Sequence, residues 1–245
     1  MRTLVLDIET SPNVADVWGL WQQNVGLNQL HESSKTICFA AKWTDRNKVM
    51  YHSVFHDDYE SMVTNAHNLL DEADAVVGWN STPFDLRTLN NEFVRMGFAP
   101  PSSYKSIDLI KTVKKNFRFP SNKLDYVATE LGVGSKLSTG GHDLWRKCLE
   151  FDPAAWNKMK KYNCQDVLVT EGLYFKLLPW ISDHPNVALY DQQEDQSCPT
   201  CGGTSLTKRG FYTAETGRYQ RFNCTMCGKW SRSTVRAVSV QTRGI

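Results

Sequence analysis

Leu4-Val5-Leu6-Asp7-Ile8-Glu9-Thr10 is an apolar run broken by two acids. Its length and β-branched content predict a buried central strand. Side chains alternate along a strand, so Asp7 and Glu9 project from one face. Like charges side by side on a core strand repel unless a cation offsets them, and hard carboxylate oxygens suit Mg²⁺ or Mn²⁺. A strand end at which both acids reach solvent is the alternative. Two further acids stand out by position. Asp85 follows Asn80-Ser81-Thr82-Pro83-Phe84 at a helix start, where an acid also serves to complement the helix dipole. Asp166 lies mid-helix in Tyr162-Asn163-Cys164-Gln165-Asp166-Val167, a place that disfavours aspartate. Tyr162 sits one helical turn earlier and points the same way. A phenol packed on the core, its hydroxyl satisfied locally, is the plainer reading of that residue.

A second chemistry is carried by cysteine. Cys198-Pro199-Thr200-Cys201-Gly202 and Cys224-Thr225-Met226-Cys227-Gly228 are two CxxC knuckles separated by 22 residues. Four thiolates converging tetrahedrally form a structural Zn²⁺ site, closed to catalysis. Metal binding would supply the folding free energy that so small a module cannot draw from its core. Four unliganded cysteines, or a thioredoxin-like pair, are the other readings. Between the knuckles, Tyr219 and Arg221 alternate with Gln220 and Phe222, as in a ribbon hairpin. Phe211, Tyr212, Tyr219, Phe222 and Trp230 interleave with basic residues, a composition that stacks bases and meets the phosphates of a single strand. A protein-docking surface and a purely structural lid stay open beside it. Cys38, Cys148 and Cys164 have no partner pattern and read as buried thiols, and His31, His52, His56, His67 and His184 show no ligand spacing.

Elements must bring these residues together. Strands are expected over 36–43 and 49–54, joined by a turn at 44–48, with another over 74–79. Helices are expected from Met62 through Leu70, from 84 to 96 with Gly97 as stop, and from 106 to 117, where Asp108 is an early-helix acid. Two more span 123–131, stopped by Gly132, and 153 to about 178. Gly140-Gly141 marks a mobile loop. The stretch holding Trp18 and Trp21 has no assignable element. Strands first, then helices with one more strand, predict an α/β domain with a mixed sheet. Residues 182–197, polar and aperiodic, read as a linker.

At 245 residues, 22% charged and 41% apolar, the composition is that of a soluble globular protein. No apolar run approaches ~20 residues, so no membrane partner is expected, and the N-terminus lacks a signal architecture. A reducing cytoplasm is the expected location. From Cys198 onward eight Lys/Arg face one acid, Glu215, whereas the first 197 residues hold 20 basic and 25 acidic residues. A mildly acidic body thus carries a basic tail, which points to a nucleic-acid partner.

Three segments, Leu6–Thr10, Asn80–Asp85 and Tyr162–Asp166, resemble the three exonuclease motifs of the DEDD superfamily in order and approximate spacing. That superfamily has an RNase H-like fold and includes proofreading domains of DNA polymerases. Tyr162, four residues before Asp166, is similar to the DEDDy branch; the DEDDh branch has histidine where this chain has Lys161. Asn122–Gly132 resembles the region before the third motif in family B polymerase exonucleases. With its cysteine module, the chain looks most like bacteriophage-encoded stand-alone exonucleases, the resemblance covering roughly residues 1–180. It implies an RNase H-like α/β exonuclease domain, a mixed central sheet flanked by helices, over 1–182. A linker over 183–197, a four-cysteine zinc ribbon over 198–236 and a tail over 237–245 follow.

The resemblance also implies two Mg²⁺ or Mn²⁺ ions roughly 4 Å apart. Asp7 would bridge both, Glu9 and Asp166 would complete the site holding the attacking water, and Asp85 would support the second ion. Tyr162 would orient the water, being a poor base at its ordinary pKa of about 10. Thr10, Asn80 and Phe84 would bind substrate, Phe84 also packing the motif. Lys123, Lys136 and His142 would meet phosphates, unless each is a solvated surface charge. The expected activity is 3′→5′ hydrolysis of DNA, single-stranded by preference, with a polymerase or another replication protein as partner. An exoribonuclease is the nearest alternative, because no reader of a 2′-hydroxyl is visible. A non-catalytic nucleic-acid-binding replication accessory protein is the other, and the presence of all four acids and Tyr162 argues against it.

Overall fold

In a computed structural model that describes residues 1–191 and 196–243, the first strand is the middle of the sheet. In chain order come β1 (Thr3–Thr10), β2 (Val14–Ala15), β3 (Leu30–Glu32), β4 (Thr36–Trp43), β5 (Met50–Ser53), α1 (Tyr59–Glu72), β6 (Ala75–Gly78), α2 (Asp85–Arg95) and β7 (Lys105–Asp108). Then follow α3 (Leu109–Asn116), α4 (Leu124–Glu130), α5 (Asp143–Leu149), α6 (Pro153–Leu177), α7 (Ala188–Asp191), β8 (Leu206–Thr213), β9 (Gly217–Cys224) and β10 (Trp230–Ser239). Two compact units result: Arg2–Leu173, and a C-terminal unit beginning at Tyr174.

The first unit holds a five-stranded sheet in the order β5-β4-β1-β6-β7. β1 runs antiparallel to β4 and parallel to β6, which is parallel to β7, so the sheet is mixed, as the element order required. Alternation along β1 divides its chemistry. Leu4, Leu6 and Ile8 pack with Met62, Val63, Ala66 and Leu70 of α1 and with Leu86, Leu89 and Phe93 of α2. Asp7 and Glu9 take the other parity, and a second cluster of Ile37, Cys38, Leu144, Cys148, Trp156 and Met159 brings β4, α5 and α6 together. All eight residues of β4 are buried, Lys42 included. Its ammonium pairs with Glu171 of α6, so even this charge ties the long helix to the sheet.

Several expectations change. The helix expected over 106–117 begins only at Leu109, because Lys105–Asp108 form β7. Ile107 pairs with Val77, giving the backbone groups along β6 the partners that a buried strand requires. Only one inward apolar residue marks so short a strand, and it runs straight into helical spacing. α5 follows Gly140-Gly141, where the sequence predicts only a loop. The Trp18 and Trp21 stretch closes as a small β2–β3 hairpin whose two indoles are 98% and 84% exposed.

The expected linker contains α7, and the Val187 N–H donates to the Pro199 carbonyl; its residues 192–195 lie outside those described. The C-terminal unit carries a three-stranded antiparallel sheet, β10-β9-β8. β10 continues to Ser239, beyond the boundary expected at 236, and residues 244–245 of the tail lie outside those described. Among the described residues no helix is long and apolar enough to cross a membrane.

Candidate functional site

Ligand oxygens of Asp7, Glu9 and Asp166 lie within 4.8 Å of one another. Strand parity supplies the first two and a helix the third. Asp166 is 1% exposed, and its Oδ1 is buried with no hydrogen-bond partner. An orphaned carboxylate oxygen is costly unless a cation or ordered water reaches it. Hard oxygen donors from separate elements, one of them unsatisfied, fit a divalent ion such as Mg²⁺ or Mn²⁺.

The electrostatics state the same need. Burial, then the neighbouring carboxylates of Asp85, Glu9 and Asp166, hold the Asp7 carboxyl well above its ordinary range. Burial and then Asp166 push Glu9 up to about 8. Burial also raises Asp166, against the opposing pull of Lys136. That lysine is the local countercharge: its ammonium pairs with Asp166 Oδ2 and donates to the Tyr162 hydroxyl at 3.2 Å. Burial disfavours the ammonium, but the Asp166 carboxylate outweighs it and Lys136 is held above its usual range. Lys136 is therefore in the cluster rather than a solvated surface charge. Tyr162 is likewise raised, by burial and then by Asp166, so its hydroxyl keeps its proton.

Asp85 stands beside this group and outside the close three. Gly78 ends β6 beneath a loop that folds tightly back: a Cβ there would lie 2.4 Å from Ser81 Cβ. Asn80 takes a left-handed backbone (φ 62°), which asparagine tolerates better than most residues. Asp108 accepts from the Asn80 N–H at 2.8 Å and the Thr82 N–H at 3.4 Å, so this buried acid organises the loop rather than a helix start. The loop then delivers Asp85, 3% exposed, whose Oδ1 accepts from the Ile8 N–H of β1 at 3.1 Å. Burial raises Asp85 to about 6, with the Ile8 N–H opposing. Phe84 is 46% exposed, so it does not pack the motif as expected. It immediately precedes the first helical residue of α2.

Two site residues have no role legible from the sequence. Asn163, fully buried, donates Nδ2 to Asp7 Oδ2 at 2.7 Å and fixes that carboxylate. Its spacing of three from Asp166, one face of a helix, was the available signal. Trp145 of α5 meets the Tyr162 ring edge-on at 6.1 Å, and its indole opposes the upward shift of Glu9. With Thr10, Ser11, Pro12, Gly141 and His142 it lines a cleft of about 440 Å³ beside Glu9. Thr10 and His142 are thus brought to one place. Lys123 is exposed just before α4, and no interaction between its ammonium and these acids is present among the described residues.

In the C-terminal unit, ligand sulfurs of Cys198, Cys201, Cys224 and Cys227 lie within 4.8 Å of one another. Cys198–Cys227 and Cys201–Cys224 are each 3.6 Å apart and all four are free thiols. Zn–S bonds in a tetrahedron place sulfurs about 3.8 Å apart, so the set fits one such ion.

The family model described as the RNase H superfamily matches residues 25–178, well over half of the sequence. The chain belongs to the RNase H superfamily. Its mixed sheet flanked by helices is the RNase H-like arrangement, and membership supports a nuclease activity. The match takes in Asp85, Tyr162 and Asp166 but begins after the strand bearing Asp7 and Glu9. Among solved structures, a family B DNA polymerase from the hyperthermophilic archaeon Pyrobaculum calidifontis is similar in fold, with a TM-score of 0.56 and 22% identity. The alignment covers 73% of this chain and 24% of the polymerase, so this RNase H superfamily member spans about a quarter of that protein's length. No curated protein matches the sequence.

Proposed function

We propose that this RNase H superfamily member is a metal-dependent 3′→5′ exonuclease of the DEDDy type acting on DNA, single-stranded by preference. The observation that carries the reading is the convergence of Asp7, Glu9 and Asp166 within 4.8 Å, beside Tyr162 and Lys136. Asp7, Glu9 and Asp166 would hold two Mg²⁺ or Mn²⁺ ions, with Asp85 in support. Bound there, such ions activate water and neutralise charge on the attacking and departing oxygens of an in-line displacement.

The chain's own residues prepare that step. Asn163 orients the Asp7 carboxylate, an outer layer that fixes ligand geometry. Tyr162, kept protonated, positions the nucleophilic water through its hydroxyl and does not act as base. Lys136 neutralises Asp166 until the site is loaded, and then meets the phosphate. The cleft of Thr10, Pro12, His142 and Trp145 receives the terminal nucleotide, with an indole and an imidazole to stack on its base. The four cysteines hold one Zn²⁺, forming a ribbon that aids nucleic-acid binding. A polymerase acting in trans is the proposed partner.

The test uses 5′-labelled DNA and RNA oligomers with Mg²⁺, Mn²⁺ or EDTA. The expected result is a ladder shortening from the 3′ end of DNA, dependent on the added ion. Release of the label as a mononucleotide at the first cut, or cleavage undiminished in EDTA, would overturn the assignment, and faster laddering of RNA would transfer it to an exoribonuclease.

A further inference from the structure

One face of the C-terminal sheet carries a ladder that the cysteines do not explain. Residues directly opposite one another in a sheet share a face, and alternate residues along a strand do too. Register pairs Tyr212 with Tyr219, Arg232 with Arg221, Trp230 with Asn223 and Arg236 with Tyr219. Tyr212, Tyr219, Arg221, Trp230, Arg232 and Arg236 therefore stand together on one side. They interleave. The Arg232 guanidinium lies 4.2 Å from the Tyr219 ring centroid and 5.2 Å from that of Tyr212, and Arg221 lies 4.7 Å from that of Trp230.

Tyr212 and Trp230 remain 48% and 51% exposed, so these rings do not form a core. No carboxylate pairs with the three arginines among the described residues; Glu215 pairs with Arg243. The guanidinium groups of Arg221, Arg232 and Arg236 each donate one hydrogen bond among the described residues, to the Arg209 carbonyl, the Ser233 carbonyl and the Tyr219 hydroxyl. Most of each guanidinium's five donors remain for a ligand. Rings held flat by stacked guanidinium groups, with unneutralised positive charge between them, match the alternation of base and phosphate in a single strand.

We propose that this face is a docking surface for single-stranded nucleic acid, with Tyr212, Tyr219 and Trp230 stacking bases and Arg221, Arg232 and Arg236 meeting phosphates. The proposal deepens the nuclease reading by giving the ribbon's contribution a face and residues, and rests on that reading for the class of ligand. The opposite face provides an internal control, because Arg218 there stacks on Phe211 at 4.6 Å.

The test uses the full chain carrying Asp7→Asn, to suppress cleavage, and anisotropy of a labelled oligothymidylate across a salt series. Trp230→Ala and Tyr212→Ala should each weaken binding about tenfold or more. Arg221→Gln with Arg232→Gln should flatten the salt slope by about 1.4. Phe211→Ala with Arg218→Gln should leave affinity within about twofold, as expected when the opposite face does not meet the strand. Circular dichroism and thiol reactivity monitor folding, and Arg232→Lys, which keeps the charge, should weaken binding while preserving the slope. Unchanged affinity in folded variants, equal loss from the opposite face, or competition by polyglutamate as strong as by oligothymidylate would overturn the proposal. Hydrolysis of a mononucleotide aryl ester by the wild-type chain is measured separately, and its absence would count against the nuclease reading alone.

Discussion

Two sites in this chain gather like charges, and they do so in opposite ways. In the first unit, acids from β1 and α6 converge in a half-buried to buried place, where Asn163 of α6 donates to Asp7 across 156 residues of sequence. In the C-terminal unit, arginines stand on an exposed sheet face with aromatic rings between them. Burial turns repulsion into a demand: the acids are pushed toward holding protons, a lysine is drawn in, and one oxygen is left unsatisfied. Exposure lets water screen each charge, so the same crowding costs little and leaves donors open to an anion. The first site asks for cations to complete it, whereas the second offers cations to a ligand.

The sharpest way to break this contrast is to remove one acid. Asp7→Ala or Asp166→Ala should cut metal-dependent cleavage about 10³-fold or more, equivalent to about 4 kcal/mol of transition-state stabilisation. Asp7→Asn should raise the melting temperature in EDTA, because it removes a charge that its neighbours oppose. Calorimetry and end-labelled substrate read the two effects together. Near-normal turnover, or a lower melting temperature in EDTA, would mean that the cluster is structural.

Cys224→Ser tests the other side. Losing one of four converging thiolates should release the bound ion and open the C-terminal unit to protease, with first cuts beyond Tyr174. Cleavage of short oligomers should survive, measured by the same laddering assay. An unchanged protease pattern would show that the sulfurs do not depend on a metal.

Next in size is Asn163→Ala. An outer-layer partner of this kind is worth about 10- to 100-fold in metal affinity, and titration of Mn²⁺ against turnover measures it. If Asp7 is held by its strand alone, the titration will not move.

How far these sites could be read beforehand follows the same division. The cysteine knuckles are local, so their spacing alone announces them. β1 is legible because an apolar strand does not carry two acids on one face without a reason. Asp166 stands out against helix propensity. Asn163, Trp145 and Asp108 do not, since each acts on a residue distant in sequence and has an ordinary local role available. Phe84 reads as a packing residue in sequence because an aromatic at a helix start is ordinarily buried, whereas here it is exposed. β7 is hidden for a related reason: a strand of four residues has too few alternations to interrupt the helix that follows it.

The smallest expected effect concerns pH, and it joins the two halves of the comparison. Glu9 titrates near 4.5 ordinarily and is raised to about 8 in the folded, metal-free chain, while Asp85 is raised to about 6. A folded state that binds more protons than the unfolded one loses stability as pH rises. The metal-free melting temperature should therefore be highest near pH 4 and fall by a few degrees toward pH 8. Added Mn²⁺ should remove most of the slope, because a bound dication favours the deprotonated acids that protons favoured before. A slope that persists unchanged in saturating Mn²⁺ would place its origin outside the acid cluster, and would separate the stability of the fold from the chemistry proposed for its site.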